Sequence, residues 1–334
     1  MYQELDELTR EQQRHLEDAR HLWKVWSPLA KRREELAGSM GWKTVKDREY
    51  LTRYWHDADS GGKKMVSLGP RSPATEKAKA DFERERAEID ASLSALQPRL
   101  AGLGRVGRAL RVGRLETPAA DVLREIWKAD LLGNGVIIIG SAVVHLYEAA
   151  ASVLLPRSIL PDEGLDLTVL GTVDLDLDDV LRILRRADKS FRRVADRTFR
   201  SREGLQVDVL PFDQVRSFYE RLPGPDDRQR HVLDDALRTQ PAQEIAVARD
   251  GLPVPMAGLD PRAFAVLKYA RAEFDPERNR NAAEVDREQA FAVGTIVQNY
   301  WRQEFDAEWL EAFPGLAERI GAESPMRSPS FFGP

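Results

Sequence analysis

The sequence predicts an α+β fold in which a mixed sheet lies between helical N- and C-terminal regions, and three features support this prediction. Val136 to Ile139 is a short apolar run, rich in β-branched residues and bounded by glycines, as is typical of a buried strand. Residues 165–170 and 205–210 alternate between apolar and polar side chains, as strands with one buried face do. Long segments before residue 118 and after residue 215 have helical composition.

Gly140 and Ser141 follow the apolar strand and precede SAVVHLYEAAASV, a segment of helical composition for which Ser141 is the predicted N-cap. A helix N-terminus attracts anions through its free N–H groups and its dipole, and glycine lets a phosphate approach the backbone closely. The alternative is an ordinary strand-to-helix connection. The spacing is not the GxGxxG of dinucleotide folds, and the chain has no GxxxxGK[ST] P-loop.

Two strands each offer one carboxylate: Asp166 in LDLTVL and Asp208 in LQVDVL. In both segments the acid alternates with apolar residues, so we expect it to project from the face opposite the core. Hard cations such as Mg²⁺ bind carboxylate and phosphate oxygens together. Asp166 and Asp208 are therefore the predicted ligands of Mg²⁺ or Mn²⁺ beside the Gly140-Ser141 turn.

These features resemble the DNA polymerase beta-type nucleotidyltransferase superfamily. More narrowly, the chain is similar to a bacterial nucleotidyltransferase-like family with a helical N-terminal extension, through REYLTRYW, MVSLGPRSP, GSAVVHLYEA, KSFRR and PRAFAVLKYARA. The resemblance implies that Gly140 and Ser141 hold the phosphates of an NTP and that Asp166 and Asp208 are catalytic metal ligands. It also implies that Lys268, in PRAFAVLKYARA ahead of Asp286 and Gln289, faces the triphosphate; the alternative is a surface lysine whose stem covers apolar neighbours.

The first acidic strand departs from the superfamily pattern, which has two acids spaced Asp-x-Asp, because the partner position of Asp166 is Gly164. A glycine side chain cannot ligate a metal. Either the catalytic site is disabled at Gly164, or a bulge there brings Asp162 or Glu163 into place.

A second register, Asp174-x-Asp176, keeps the Asp-x-Asp spacing. We interpret these acids instead as part of a turn and of the N-terminus of a helix over Leu177 to Ala187. His145 and Tyr147 lie on the predicted helix that follows Ser141. We interpret them as packing residues, and the alternative is that they line a pocket.

Composition excludes several classes of protein. The 334 residues contain no cysteine, which excludes disulfides, thiolate zinc sites and a cysteine nucleophile. The net charge of -5 argues against a uniformly basic nucleic-acid binder. No apolar run reaches 18 residues and no signal peptide is recognised, so we expect a cytoplasmic protein without a membrane partner.

Local basic segments nevertheless predict contact with nucleic acid. A predicted β-hairpin near 49–69 mixes cations with aromatic residues, a combination that holds phosphates and stacks bases. The segment from Arg99 to Arg114 has five arginines and no acid; the alternative is a solvated or internally paired helix. The predicted nucleic-acid-binding residues are Arg53, Lys63, Lys64, Arg71, Arg105, Arg108 and Arg111.

The predicted domains are a helical N-terminal region over 1–118, a nucleotidyltransferase core over 119–215 and a helical C-terminal region over 216–334. Pro28 is predicted to break or to start an N-terminal helix, and Pro98 is predicted to break one. Phe191 to Arg200 is predicted to be one strand antiparallel to the strand of Asp208.

The predicted function is transfer of NMP from an NTP to a hydroxyl acceptor, with RNA such as tRNA as the first acceptor considered. Because Gly164 stands where the superfamily pattern has an acid, the prediction extends to a chain that is catalytically inactive. The alternative is a catalytically dead nucleotide- or RNA-binding module of a toxin–antitoxin or phage-defence system, with an antitoxin or another protein as its partner.

Overall fold

The computed structural model describes residues 5–56, 62–160, 164–169 and 175–322. The helices lie mainly before and after a central sheet. They are α1 Arg10–Glu35, α2 Pro73–Leu110, α3 Thr117–Lys128, α4 Val144–Ala151, α5 Leu177–Ala187, α6 Phe212–Glu220, α7 Asp227–Leu237, α8 Pro261–Phe274, α9 Arg280–Tyr300, α10 Ala307–Ala312 and α11 Pro314–Ala322. Within these described ranges, no helix combines the length and the apolar character needed to cross a membrane.

The strands form a central sheet and two smaller sheets. They are β1 Asp6–Glu7, β2 Ser39–Val45, β3 Arg48–His56, β4 Lys63–Pro70, β5 Val136–Ile138, β6 Val153–Leu154, β7 Leu165–Val169, β8 Arg192–Ala195, β9 Thr198–Arg200, β10 Gln206–Pro211, β11 Ala242–Val247 and β12 Pro253–Gly258. The central sheet has the order β11-β12-β5-β7-β10-β9-β8 and contains both parallel and antiparallel pairs. The predicted α+β class, with a mixed sheet and helical termini, is confirmed.

The two long N-terminal helices run through their prolines. Pro28 lies inside α1 and Pro98 lies inside α2. The prediction that Pro28 breaks or starts a helix and that Pro98 breaks one is therefore wrong. A proline in a helix removes one backbone hydrogen bond, and both prolines lie on exposed faces where water can satisfy the carbonyl left without a partner. The two helices pack against each other along their length.

A three-stranded antiparallel sheet connects α1 to α2. Strands β3 and β4 pair as the hairpin predicted from the turn-rich residues between them. Strand β2 pairs with the other edge of β3, from Ser39 opposite Tyr54 to Val45 opposite Arg48. The sequence analysis missed β2 because glycine and lysine interrupt its alternation of apolar and polar residues.

The C-terminal part of the chain contributes two strands to the central sheet. Strands β11 and β12 form an antiparallel hairpin, and β12 pairs in parallel with β5 through Gly258 and Ile138. Every residue of β12 is buried. The region beyond Pro211, which is predicted to be mostly helical, therefore also contains a two-stranded hairpin that the sequence analysis missed.

The predicted strand from Phe191 to Arg200 is divided into β8 and β9, which pair with each other through a register shift. Strand β9 pairs antiparallel to β10, as expected. The helix predicted over Leu177 to Ala187 is confirmed as α5, and the side chain of Asp176 caps it by accepting the N–H of Asp178.

Candidate functional site

The turn between β5 and α4 is built around Ser141. After Gly140, which has an extended backbone, Ser141 to Val143 form a short 3-10 turn that leads into α4. The Ser141 hydroxyl donates to Gln289 Oε1 at 2.9 Å and accepts from Lys268 Nζ at 2.9 Å. The prediction that Ser141 is the N-cap is wrong, because Gly140 occupies the cap position and the serine hydroxyl bonds helices α8 and α9 instead.

Lys268 belongs to a chain of buried polar contacts. Its Nζ donates to Asp286 Oδ1 at 2.6 Å, and Arg278 Nε donates to Asp286 Oδ2 at 2.7 Å. The Asp286 side chain is 1% exposed and that of Lys268 is 9% exposed. Because a buried charge is costly without a partner, this pairing keeps an ammonium group beside the turn.

The electrostatics of the pair follow from burial and mutual charge. Burial lowers the pKa of Lys268, and the carboxylate of Asp286 offsets part of that shift. Burial acts to raise the pKa of Asp286, but the charges of Lys268 and Arg278 outweigh it and hold that pKa below its ordinary value. Asp286 is therefore ionised at neutral pH and holds Lys268 in place.

Gln289 fixes the other side of the turn. Its amide oxygen accepts from Ser141, and its Nε2 donates to the carbonyl of Ile159 at 2.6 Å. Gln289 is fully buried, so both ends of its amide are used inside the protein. The serine hydroxyl is thus held between one basic and one amide side chain.

The two predicted catalytic acids occupy matched positions on neighbouring strands. Strands β7 and β10 are parallel, and Asp166 and Asp208 are direct Cα partners in their register. Strand β5 runs antiparallel to β7, with Ile138 opposite Leu167, so the chain beyond Ile138 leaves the sheet beside the start of β7. The topology therefore brings the Gly140-Ser141 turn to the sheet edge where Asp166 and Asp208 lie. The side chain of Asp166 lies outside the described part.

Hydrogen bonds from two neighbours orient the Asp208 carboxylate. Thr198 Oγ1 donates to Oδ1 at 2.5 Å, and Gln206 Nε2 donates to Oδ2 at 2.6 Å. The flanking Val207 and Val209 are buried, whereas Asp208 is half-buried. The alternation predicted for this strand is therefore confirmed.

Gly164 immediately precedes β7 and has room for a side chain. Among the described atoms, a Cβ added there would meet only the carbonyl oxygen of Gln206, at 3.9 Å, which is an ordinary van der Waals contact. Neither packing against described residues nor a left-handed backbone therefore requires glycine at this position. Asp162, Glu163 and Asp174, the alternative acids, lie outside the described residues. Among the side chains that are described, no group of three or more acids and histidines is placed to hold a metal ion.

A small cleft of about 210 Å³ adjoins the turn on the side of α6 and α8. Gly140, Leu210 and Lys268 line it, together with the aromatic rings of Phe218 and Tyr219. A polar end beside an apolar and aromatic wall is typical of a site that binds a charged group joined to a planar one.

The predicted nucleic-acid-binding residues fall into two separate groups. Arg53, Lys63, Lys64 and Arg71 lie on or next to the β2–β4 sheet, whereas Arg105, Arg108 and Arg111 lie at the C-terminal end of α2. Helix α2 has 38 residues and therefore spans about 55 Å at a rise of 1.5 Å per residue. The two groups do not form one compact surface.

Some of these basic side chains already have partners inside the protein. The Arg53 guanidinium donates to the carbonyl oxygens of Glu35 and Ala37. Arg71 pairs with Glu49 at 2.7 Å and with Glu76 at 2.8 Å. These contacts give both arginines a structural role in the small sheet, while Lys63, Arg105 and Arg111 are exposed.

A buried network on α4 was missed by the sequence analysis, although His145 was named as a pocket alternative. Glu148 Oε1 accepts from Arg114 Nη1 and from the Leu155 N–H, both at 2.8 Å, and Glu148 Oε2 lies 2.8 Å from His145 Nδ1. His145 and Glu148 are one turn apart on α4, so their i,i+3 spacing was the available signal. Tyr147 is a packing residue, since it is fully buried and donates to the Leu259 carbonyl at 2.8 Å.

Comparison with known protein families shows one match. The family described as Nucleotidyltransferase matches residues 117–314, which is more than half of the chain and includes the turn, both acidic strands, Lys268 and Asp286. Comparisons with curated proteins and with solved structures found no match.

Proposed function

Since this chain belongs to the nucleotidyltransferase family, we propose that it transfers the NMP group of an NTP to a hydroxyl acceptor, with RNA such as tRNA as the first candidate acceptor. The observation that best supports the proposal is the contact of Lys268 with Ser141. It brings a buried cation to a glycine-serine turn at the sheet edge where two acidic strands lie side by side.

The turn and Lys268 are proposed to bind the triphosphate. An ammonium group has three donors, and the contacts with Ser141 and Asp286 use two of them. One donor is left for a phosphate oxygen, and the charge of Lys268 favours that contact. The backbone N–H groups that begin the 3-10 turn would add further donors.

Asp166 and Asp208 are proposed to hold Mg²⁺ or Mn²⁺. Oxygen ligands from two register partners on neighbouring strands suit a hard divalent cation, because such strands are about 4.8 Å apart. When bound, the metal would neutralise charge on the phosphates and help to align the acceptor. The hydrogen bonds from Thr198 and Gln206 would keep Asp208 in one rotamer for this role.

The reaction is proposed to be an in-line displacement at the α-phosphorus. The acceptor oxygen forms a bond to that phosphorus, the bond to the bridging oxygen of the β-phosphate breaks, and pyrophosphate leaves. Asp208 would accept or orient the proton of the acceptor hydroxyl. Positioning and charge neutralisation supply most of the catalysis in such transfers.

Gly164 favours a second candidate function. If catalysis needs a carboxylate at position 164, this chain lacks one acid and would turn over poorly. It would then act as a nucleotide- or RNA-binding module. Toxin–antitoxin and phage-defence systems are the proposed settings for such a module. The question is testable, because a Cβ added at Gly164 meets no described atom closer than 3.9 Å.

The test is label transfer from each of the four labelled NTPs to total RNA with Mg²⁺. It compares the wild-type chain, Gly164→Asp and the uncharged control Gly164→Asn. Each of these three is also tested in a form that carries the additional substitution Asp208→Asn. Transfer that requires Asp208 supports the transferase, and transfer by Gly164→Asp alone shows that position 164 disables the site. No transfer, combined with an NTP-dependent thermal shift that Asp208→Asn abolishes, supports the binding module. Neither transfer nor a shift overturns both candidates.

A further inference from the structure

A second and larger cavity lies on another side of the turn from the small cleft. It has a volume of about 900 Å³, at the upper end of the range for small-molecule sites. Ala142, one residue after Ser141, and Gly164 both line it. The cavity therefore reaches the two segments from which the candidate catalytic site is built.

The wall of this cavity is rich in positive charge. Five arginines line it against two acids, Glu116 and Glu203; the arginines are Arg108, Arg111, Arg114, Arg157 and Arg249. They come from the end of α2, the segment after it, the segment before β7 and the β11–β12 turn. In a chain of net charge -5, such convergence of one sign favours a strongly anionic ligand.

The arginines differ in what they contact. Arg114 is bound to Glu148, Arg249 pairs with Glu116, and Arg108 donates to the Asp250 carbonyl at 2.8 Å. Arg111 and Arg157 are exposed, and neither has a side-chain hydrogen bond or ion pair with any residue of the described ranges. No described residue occupies their donors, and guanidinium groups are well suited to bind phosphate oxygens.

His145 adds a second kind of group to the same wall. It is 6% exposed, and its Nδ1 faces the Glu148 carboxylate at 2.8 Å. A neutral imidazole that donates from Nδ1 to this carboxylate has a lone pair on Nε2, which accepts a hydrogen bond. A wall with arginine donors and one histidine acceptor fits a ligand that has both phosphates and hydroxyl groups.

We propose that this cavity binds the acceptor, and that the acceptor is the end of a single-stranded RNA. Arg111 and Arg157 bind its phosphates, and His145 Nε2 accepts a hydrogen bond from a ribose hydroxyl. An extended strand is favoured over a small phosphate compound because exposed Arg105 lies one turn before Arg108 on α2 and extends the positive charge beyond the cavity. The inference rests on the proposed transferase function, since it assigns the second substrate of that site.

The test measures binding of a fluorescent single-stranded RNA by anisotropy at several salt concentrations, using the full chain. The variant is Arg111→Gln/Arg157→Gln. The control is Arg192→Gln/Arg280→Gln, which removes the same charge from two exposed arginines outside the cavity. If each lost phosphate contact lowers the log–log salt slope by about 0.7, the cavity variant should lose about 1.4 from the magnitude of that slope. The control should keep the wild-type slope, and thermal shift with NTP should be the same in all three proteins.

Three outcomes would overturn the inference: no salt-dependent RNA binding by the wild-type chain, equal slopes in the cavity variant and the control, or displacement of the RNA by AMP at equal nucleotide concentration. The last would assign the cavity to a small phosphate compound. The transferase proposal would fail separately, if the wild-type chain neither bound NTP nor transferred label while the RNA salt slopes were as expected.

Discussion

The ammonium group of Lys268 lies 2.9 Å from the hydroxyl of Ser141, although 127 residues separate the two in the chain. One belongs to a helix of the C-terminal region and the other to the turn after the first strand of the core. Their contact means that the proposed phosphate site needs both regions to be folded together.

Replacing this lysine should weaken nucleotide binding. Lys268→Met removes a charged donor from the proposed triphosphate site, and a hydrogen bond to a charged group contributes about 1.5–3 kcal/mol. NTP affinity, measured by titration calorimetry with Mg²⁺, should therefore fall by about 10- to 150-fold. Asp286 keeps Arg278 as a partner, so the variant should remain folded. Lys24→Met, on the exposed side of α1, is the control, and equal affinities in the two variants would contradict the role of Lys268.

Gly258 should not tolerate a side chain. A Cβ there would lie 2.2 Å from Val143 Cγ2, in the 3-10 turn that begins with Ser141, and 3.0 Å from the Ile138 carbonyl oxygen. We expect Gly258→Ala to lower the free energy of unfolding by about 1–3 kcal/mol, the range for overpacked cores, in urea denaturation.

The matched control for Gly258→Ala is Gly102→Ala in α2, where no atom lies within 4 Å of the added Cβ. Alanine in a helix interior is favoured over glycine by about 0.5–1 kcal/mol, so this variant should be more stable than the wild type. Equal effects of the two substitutions would show that the close packing of Gly258 against the turn is not rigid.

The buried Glu148 should be important for stability. Glu148→Gln leaves the positive charge of Arg114, whose side chain is 15% exposed, without its carboxylate partner. Removing one partner of a buried ion pair costs about 3–5 kcal/mol. Urea denaturation should therefore show a decrease of this size in the free energy of unfolding. Glu88→Gln, whose partner Arg84 is 3.9 Å away on an exposed face, should change stability by less than about 1 kcal/mol. A comparable loss of stability in both variants would contradict the stabilising role of the Arg114–Glu148 ion pair.

His15 predicts a pH dependence of stability. Burial lowers its pKa below the ordinary value of 6.5, although the Gly251 carbonyl and Asp18 offset part of the shift. Below about pH 6.5 the unfolded chain therefore binds a proton that the folded chain does not, so stability falls as the pH falls from 7 toward 5. Thermal melts of His15→Gln should show a smaller decrease over this range than the wild type. His231→Gln, at an exposed histidine, should leave the decrease unchanged.

Much of the core could be predicted because its signals are local. The apolar run at Val136, the alternation around Asp208 and the acidic cap of α5 each depend on a few adjacent residues. The Gly140-Ser141 turn was located for the same reason. Its serine was given the wrong role because the hydroxyl is bound by residues that are 127 and 148 positions away.

Other features depend on contacts that a single sequence does not reveal. The strands β11 and β12 were missed because they lie in a mostly helical region, and the pairing of β12 with the distant β5 is not visible in the sequence. Pro28 and Pro98 look like helix breakers, yet both lie on exposed faces of helices stabilised by packing against each other. The arginines of the larger cavity come from four separate parts of the chain, and only the part in and just after α2 is recognisable by its composition.

The anchoring of Ser141 by Gln289 has a consequence during biosynthesis. The serine leaves the ribosome 148 residues ahead of the glutamine, and at about 5–20 residues per second the delay is roughly 7 to 30 s. The newly made turn lacks its ammonium partner until Lys268 is made, 127 residues after Ser141, and its amide partner until the end of the interval. The proposed phosphate site is therefore complete only after Gln289 has left the ribosome.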